Sequence, residues 1–212
     1  MSSVAAPASA PGGHRPLAAL LIVAMFAAIV FWVAAALPYL GLDPARFGGF
    51  WPRRYPLLVH IAGGTVALLS GPLQLWLGAT RRRLTWHRKL GTFYVLGVSV
   101  GVLGAFYLAL TAPGGWIYSS GLFGLGVAWS VTTAMAYVAI RRRALDQHRE
   151  WMIRSYVVTL GFVLFRLLVV VLSALEIGTL DERAAFAAWF CWSVPLLVTE
   201  PLLQARKIGP RS

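Results

Sequence analysis

Residues 90–112 read LGTFYVLGVSVGVLGAFYLALTA, a run of 23 residues without one charged side chain. The hydrocarbon core of a bilayer is about 30 Å thick, and a helix needs about 20 apolar residues to cross it. Helices also satisfy their backbone hydrogen bonds internally, which open strands in lipid cannot do. Because five further stretches are similarly long and nearly free of charge, we expect an all-α polytopic membrane protein of six transmembrane helices, with the others at residues 17–40, 55–79, 116–140, 152–175 and 184–203.

The composition supports this fold class and excludes several others. Hydrophobic residues make up 58% of the 212 residues and charged residues 12%, against about 45–50% and about 25% in soluble globular proteins. This excludes a disordered chain or a coiled coil, and the single Cys191 excludes an intrachain disulfide. In so apolar a chain, the net charge of +12 indicates contact with the lipid bilayer and its anionic headgroups, and no nucleic-acid partner is expected.

Basic residues predict the orientation, because they remain on the cytoplasmic side during insertion. Six spans place both termini and the 2–3 and 4–5 loops on one face, which collects fourteen Lys and Arg residues against four on the other. We therefore expect a multi-pass membrane protein with both termini in the cytoplasm. The predicted domains are a disordered tail at 1–16, a single transmembrane domain at 17–204 and a basic tail at 205–212.

The two loops on the basic face have similar sequences, RRRLTWHR at 81–88 and RRRALDQHR at 141–149. Each has three arginines, a short spacer and a His-Arg pair that opens the next span. We interpret spans 2–3 and 4–5 as parallel repeats, two helical hairpins related by an axis along the membrane normal. Such a pair predicts an up-down four-helix bundle of spans 2–5 with spans 3 and 5 diagonally opposite. The alternative is chance recurrence of arginines after inward-directed spans.

This bundle would place His87 and His148 at equal depth on facing helices. Two such imidazoles can serve as the axial ligands of a b-type haem. Gly91, one turn beyond His87, would leave room for the flat macrocycle. The alternative is that both histidines are ordinary half-exposed residues at the membrane interface, where polar groups cost little.

Two further polar residues lie deeper in the predicted spans. His60 is about 8 Å into span 2, and Arg166 is about 14 Å from the end of span 5. A charged side chain at that depth normally faces the bundle interior or a polar cavity. We expect both to line an outer pocket for a quinone-like or anionic group. The alternatives are a hydrogen bond from His60 to a helix carbonyl and snorkelling of Arg166 to the surface.

The remaining candidates concern lipids and helix pairing. The loop arginines are expected to bind anionic headgroups: Arg81, Arg82, Arg83, Arg141, Arg142 and Arg143. Glu200, the only acidic residue inside span 6, is expected to pair with Arg154; the alternative is that it accepts a hydrogen bond from His148. No metal site is expected, since one cysteine and three usable histidines support no zinc site. No hydrolase or nucleotide-binding motif occurs.

Several segments together resemble the bacterial family of predicted membrane proteins called domain of unknown function 2306. They are HIAGG (60–64), SGPLQ (70–74), HRKLGTFY (87–94), HREWMIRSY (148–156), FRL (165–167) and residues 189–200. The resemblance covers about residues 55–204 and implies a polytopic inner-membrane protein without an established activity. The arrangement is also similar to the cytochrome b class of haem bundles. It departs from the two-haem pattern, because Ser120 stands where His60 would need a partner, which leaves one haem or none.

Three functional hypotheses follow, and whether the protein is an enzyme stays open. The first is a haem-binding protein in membrane redox chemistry, with a quinone or another redox membrane protein as partner. The second is a non-enzymatic scaffold that binds lipids or a protein partner. The third is a small transporter that uses His60 and Arg166.

Overall fold

The computed structural model describes residues 15–81 and 83–208, with only the backbone described at 15–17, 206 and 208. Over these residues the chain forms helices and no strand, which confirms the all-α prediction. Short 3₁₀ helices at Leu37–Gly41 and Gly48–Arg53 flank the brief α2. The α-helices are α1 (Arg15–Ala35), α2 (Pro44–Phe47), α3 (Arg54–Thr80), α4 (Leu84–Leu110), α5 (Gly115–Arg141), α6 (Leu145–Thr159), α7 (Gly161–Ala174) and α8 (Leu180–Ile208).

Six segments of the described chain are long and apolar enough to cross a bilayer, as predicted. Three of them are the single helices α4, α5 and α8, while the others combine a helix with a shorter neighbour. The segments are Ala18–Gly41, Pro44–Thr80, Leu84–Leu110, Gly115–Arg141, Leu145–Ala174 and Leu180–Ala205.

Several helices are longer than the apolar stretches that predicted them. Helix α4 begins at Leu84, six residues before residue 90, and α6 begins at Leu145, seven residues before residue 152. Most of the extra residues are polar or charged, and at a helix end such side chains reach water. Hydropathy therefore marks only the lipid-facing part. Likewise α1 begins at Arg15 and α8 continues to Ile208, inside the predicted tails; residues 1–14 and 209–212 lie outside the described residues.

Span 5 is two helices, where the sequence predicted one. Helix α6 ends at Thr159 and α7 begins at Gly161, with Leu160 as the turn between them. The amide of Leu160 donates to the carbonyl of Tyr156 at 3.0 Å, so the chain keeps its direction through the break. Helix α6 packs against α3, α5 and α8, whereas the extensive contact of α7 is with α8 alone.

Helices α3, α4, α5 and α6 form a ring in which each packs against the next and α6 returns to α3. Helix α1 lies outside on α3, and α8 lies outside on α5, α6 and α7. The α3–α4 contact is the most extensive in the protein, because glycines let the two backbones meet. A Cβ on Gly63 would collide with the main chain at Gly97 and Gly101, and one on Gly104 would lie 2.7 Å from the amide of His60.

The centre of the ring contains a closed network of buried polar side chains. The Tyr94 hydroxyl hydrogen-bonds Ser155 Oγ at 2.8 Å and Thr159 Oγ1 at 2.9 Å. Trp129 Nε1 donates to Thr159 Oγ1 at 2.9 Å, and Thr133 Oγ1 hydrogen-bonds Ser155 Oγ at 2.7 Å. All five side chains are almost completely buried. Since the bonds join α4, α5 and α6, they specify how these helices align.

Candidate functional site: a histidine pair at the arginine-rich end

The end of the bundle that carries the α3–α4 and α5–α6 connections, here called the arginine-rich end, presents the two predicted histidines in equivalent positions. His87 is the fourth residue of α4, and His148 is the fourth residue of α6. Their amides bond to the carbonyls of Arg83 (3.1 Å) and Ala144 (2.9 Å), which completes each first helical turn. Each of the two helices therefore carries an imidazole in its first turn, at the same end of the bundle.

The structure brings these two rings together across the bundle. Their centroids are 6.4 Å apart and their planes are inclined at 87°. Both side chains are partly buried. The two rings are thus edge to face, at a separation within the range of about 4.5–7 Å that is usual for such pairs.

The hydrogen bond of His148 determines which of its nitrogens is free. Its Nδ1 lies 2.9 Å from the carbonyl oxygen of Ala136 on α5. A carbonyl only accepts, so Nδ1 carries the proton and Nε2 of the neutral ring keeps its lone pair. This is the usual arrangement in a metal-binding histidine, whose second nitrogen donates to a carbonyl or carboxylate.

Near the histidine pair, one side chain of α4 packs on a glycine of α3, and one side chain of α3 packs on a glycine of α4. The ring of His87 rests on α3, where its Cε1 would be 3.1 Å from a Cβ on Gly78. One turn earlier on α3, the amide of Gln74 rests on α4, with Nε2 2.6 Å from the Cβ position of Gly91. Gly91 therefore makes room for Gln74, where the sequence predicted room for a macrocycle.

Two polar atoms of this group are buried and make no hydrogen bond with the described residues: Gln74 Oε1 and His87 Nδ1. Gln74 is only 3% exposed. Each such atom costs about 1–3 kcal/mol when it is left without a partner. Sequence reasoning did not assign a role to Gln74, although an amide inside an apolar span was a usable signal.

His60 lies in the other half of the bundle. It is 18 residues before Gly78 on α3, which corresponds to about 27 Å along the helix. Its Nδ1 lies 3.0 Å from the carbonyl oxygen of Gly101, and its ring lies 4.5 Å from that of Phe162 and 6.2 Å from that of Trp129. His60 is thus not part of the His87–His148 group.

Arg166 is on α7, one turn after Phe162, and its side chain is exposed. It forms no hydrogen bond or ion pair with any residue in the described ranges. The orientation agrees with the snorkelling alternative and differs from the inward-facing one. An outer pocket shared by His60 and Arg166 is therefore not formed by direct contact between them.

The loop arginines lie in or next to the two connections that precede α4 and α6, at the same end of the bundle as the histidine pair. Those that the structure describes are exposed and form no ion pair within it: Arg81, Arg83, Arg141, Arg142 and Arg143. Arg82 lies outside the described residues. Three of them have left-handed backbone conformations, with φ of 52° at Arg81, 51° at Arg83 and 59° at Arg143.

Arg154 and Glu200 form an ion pair between α6 and α8. Nε and Nη2 of Arg154 donate to Glu200 Oε2 at 2.9 and 2.6 Å. Gln204 donates to the other carboxylate oxygen at 2.7 Å, and Glu150 lies 3.5 Å from the same guanidinium. Together these bonds attach α8 to the bundle near the arginine-rich end.

Comparison with known proteins identifies the family. The family model described as "Predicted membrane protein (DUF2306)" matches residues 57–203, more than half of the chain. The chain belongs to the DUF2306 family. The DUF2306 match includes Gln74, both histidines and the Arg154–Glu200 pair, and it leaves α1 outside. No curated protein and no solved structure matches the chain.

Proposed function

We propose that this membrane protein binds one b-type haem, with His87 and His148 as its axial ligands. The spacing of the rings supports the proposal most directly. A metal–imidazole bond is about 2.0–2.1 Å long and the nitrogen lies about 1.2 Å from the ring centre, so two imidazoles on opposite sides of one metal have centres about 6.5 Å apart. The observed separation is 6.4 Å, and perpendicular ring planes allow such an axis.

The surrounding residues are suited to the same group. Nε2 of His148 has the lone pair that a ligand needs, because Nδ1 donates to Ala136. The exposed arginines of the two loops can pair with the propionate carboxylates, which guanidinium groups bind in a bidentate manner. A bound haem with two histidine ligands supplies one-electron transfer. The electron partner would then be a quinone or another redox membrane protein.

The same proposal includes the membrane in which the protein is located and the side that its arginine-rich end faces. The excess of basic residues supports an orientation with the arginine-rich end at the cytoplasmic face of the inner membrane. The histidine pair would then be close to the cytoplasm, and His60 would be in the half of the bundle that faces away from it.

An absorption spectrum tests the haem proposal. The full chain is produced in cells supplied with a haem precursor, solubilised in a mild detergent and purified. We expect a Soret band and about one haem per chain in a pyridine haemochrome assay. His87→Ala and His148→Ala should each abolish the low-spin spectrum. His60→Ala is the matched control, since it removes an imidazole about 27 Å away along α3, and it should retain the band. A colourless wild-type protein would refute the proposal.

A second function is favoured by the loop arginines, and we propose that they bind anionic lipid headgroups. Left-handed backbone costs a non-glycine residue about 1–2 kcal/mol, and three of these arginines adopt it. Glycine would adopt this conformation without strain, so a need for the guanidinium groups themselves explains why arginine stands at these positions. Exposed, unpaired guanidinium groups at the end of the bundle can contact several phosphates.

Co-purified lipid measures this second function. Replacing the five described loop arginines with glutamine should lower the phosphatidylglycerol and cardiolipin retained per chain, as quantified by mass spectrometry. Arg46→Gln, an exposed arginine at the opposite end, is the control and should change nothing. Equal retention by the loop variant and wild type would contradict the lipid-binding proposal.

A further inference from the structure

The two histidines of the pair differ in one respect that the haem proposal does not explain. His148 Nδ1 has a carbonyl acceptor, Ala136 O, at 2.9 Å. His87 Nδ1 is equally cut off from water but has no partner among the described residues. A ligating histidine normally donates from its second nitrogen, because this bond fixes the ring and raises its basicity. His87 Nδ1 does not form this bond, although the main-chain carbonyl of Gln74 lies close to the ring.

Gln74 has the complementary deficit. Its Oε1 is buried without a donor from the described part of the chain, and the residue is 3% exposed. An amide oxygen is an acceptor, and Nδ1 of an imidazole whose Nε2 binds a metal is a donor. The α3–α4 contact therefore contains one buried acceptor and one buried donor that have no hydrogen-bond partner among the described residues.

The packing places the two side chains next to each other. Gln74 and Gly78 are one turn apart on α3, and His87 and Gly91 are one turn apart on α4. The His87 ring contacts Gly78 and the Gln74 amide contacts Gly91, so the two side chains lie at neighbouring levels of one helix contact. Rotation of the unbranched Gln74 side chain changes the direction of Oε1 without any movement of the helices.

We propose that Gln74 is a positioning residue for His87, with its Oε1 accepting the Nδ1 hydrogen when Nε2 binds the iron. This inference rests on the proposed haem site. Helix α3 supplies no axial ligand, but through Gln74 it sets the orientation and electron donation of one. The acceptor is neutral, so the imidazole remains a neutral ligand.

Reduction potential separates this role from a merely structural one. A hydrogen bond at Nδ1 makes the imidazole a stronger donor, which favours ferric iron. Gln74→Leu removes the acceptor and should raise the potential, whereas Gln74→Glu introduces a charged acceptor and should lower it. We expect a change of about tenfold in the reduction equilibrium for each, about 59 mV for one electron. Gln147→Leu, an exposed glutamine beside His148, is the control and should leave the potential unchanged.

The wild-type protein provides a second test that needs no variant. In hyperfine-shifted NMR spectra of the holoprotein, both axial imidazoles should show slowly exchanging Nδ1 protons. A fast-exchanging proton on His87, no shift of potential in either variant, or a shift of the same sign in both would overturn the role of Gln74. The haem site itself would survive these results if the His87→Ala variant still loses the Soret band. A wild-type protein without haem would instead refute both proposals.

Discussion

Replacing Thr159 by valine should destabilise the bundle, although the two side chains have nearly the same shape. Thr159 Oγ1 accepts from Trp129 Nε1 at 2.9 Å, hydrogen-bonds the Tyr94 hydroxyl at 2.9 Å and donates to the carbonyl of Ser155 at 2.9 Å. The residue is 3% exposed, so water cannot replace these partners. The substitution changes hydrogen bonding and leaves packing almost intact.

The magnitude follows from which groups lose a partner. Tyr94 keeps its bond to Ser155 at 2.8 Å, and the Ser155 carbonyl is already used inside α6. Trp129 Nε1 has no other partner in the described structure, and Trp129 is 1% exposed. An unsatisfied buried donor costs about 1–3 kcal/mol, while single interhelical bonds in a membrane protein contribute about 0.6 kcal/mol and at most about 1.7 kcal/mol. We expect a loss of about 1–2 kcal/mol in unfolding free energy.

Reversible unfolding in mixed micelles with increasing dodecyl sulfate, followed by circular dichroism, measures this difference. Thr92→Val is the matched control, because Thr92 is exposed and bonds only the carbonyl of Arg88, four residues earlier in its own helix. A double substitution with Trp129→Phe removes the stranded donor and should cost less than the sum of the single changes. If Thr159→Val costs no more than Thr92→Val, the network does not stabilise the bundle as argued.

Three further substitutions test the helix contacts and the loops. Gly63→Ala should cost about 1–3 kcal/mol through overpacking against main-chain atoms of α4, whereas Gly64→Ala, with open space at its Cβ, should be neutral or stabilising in the same unfolding assay. Glu200→Gln weakens the ion pair with the guanidinium of α6. Because the carboxylate is 47% exposed, we expect the free energy of unfolding to fall by about 1 kcal/mol. Arg143→Gly should raise stability by up to about 1 kcal/mol because it relieves left-handed backbone (φ 59°), while Arg142→Gly, which removes the same charge at φ −86°, should lower it; equal effects would show that backbone strain is not involved.

The number and class of the helices could be predicted because lipid imposes a simple length requirement on apolar segments. The helix starts could not, since residues such as Thr85 and Asp146 are polar and hydropathy is silent about polar residues that are helical in water. The break at Leu160 was not predicted either, because Gly161, the local signal for a helix end, is one of many glycines in these spans. No proline is nearby, and the surrounding residues are as apolar as those of an unbroken helix.

The candidate site was predictable to different degrees for different residues. The similar sequences of the two loops indicated that His87 and His148 belong to one group, because each histidine follows three arginines and a short spacer and opens the next span. Their distance depends on how four helices pack, which no local pattern contains. The orphaned amide oxygen of Gln74 arises only where α3 meets α4, and the exposure of Arg166 depends on how α7 packs against its neighbours. These features are tertiary, so one sequence could only suggest alternatives.

Because span 5 is divided at Leu160, the half of the bundle that contains α6 and the half that contains α7 can be displaced by different amounts when the membrane changes. A change in bilayer thickness would displace the half that contains α7. Because α7 packs mainly against α8, such a displacement would be passed to α8. The half that contains α6 remains bonded to Tyr94 through Ser155 and Thr159. Because the Arg154–Glu200 pair also holds α8 to α6 near the arginine-rich end, stretching or thinning of the surrounding lipid would displace α7 and the adjoining part of α8 more than the imidazoles.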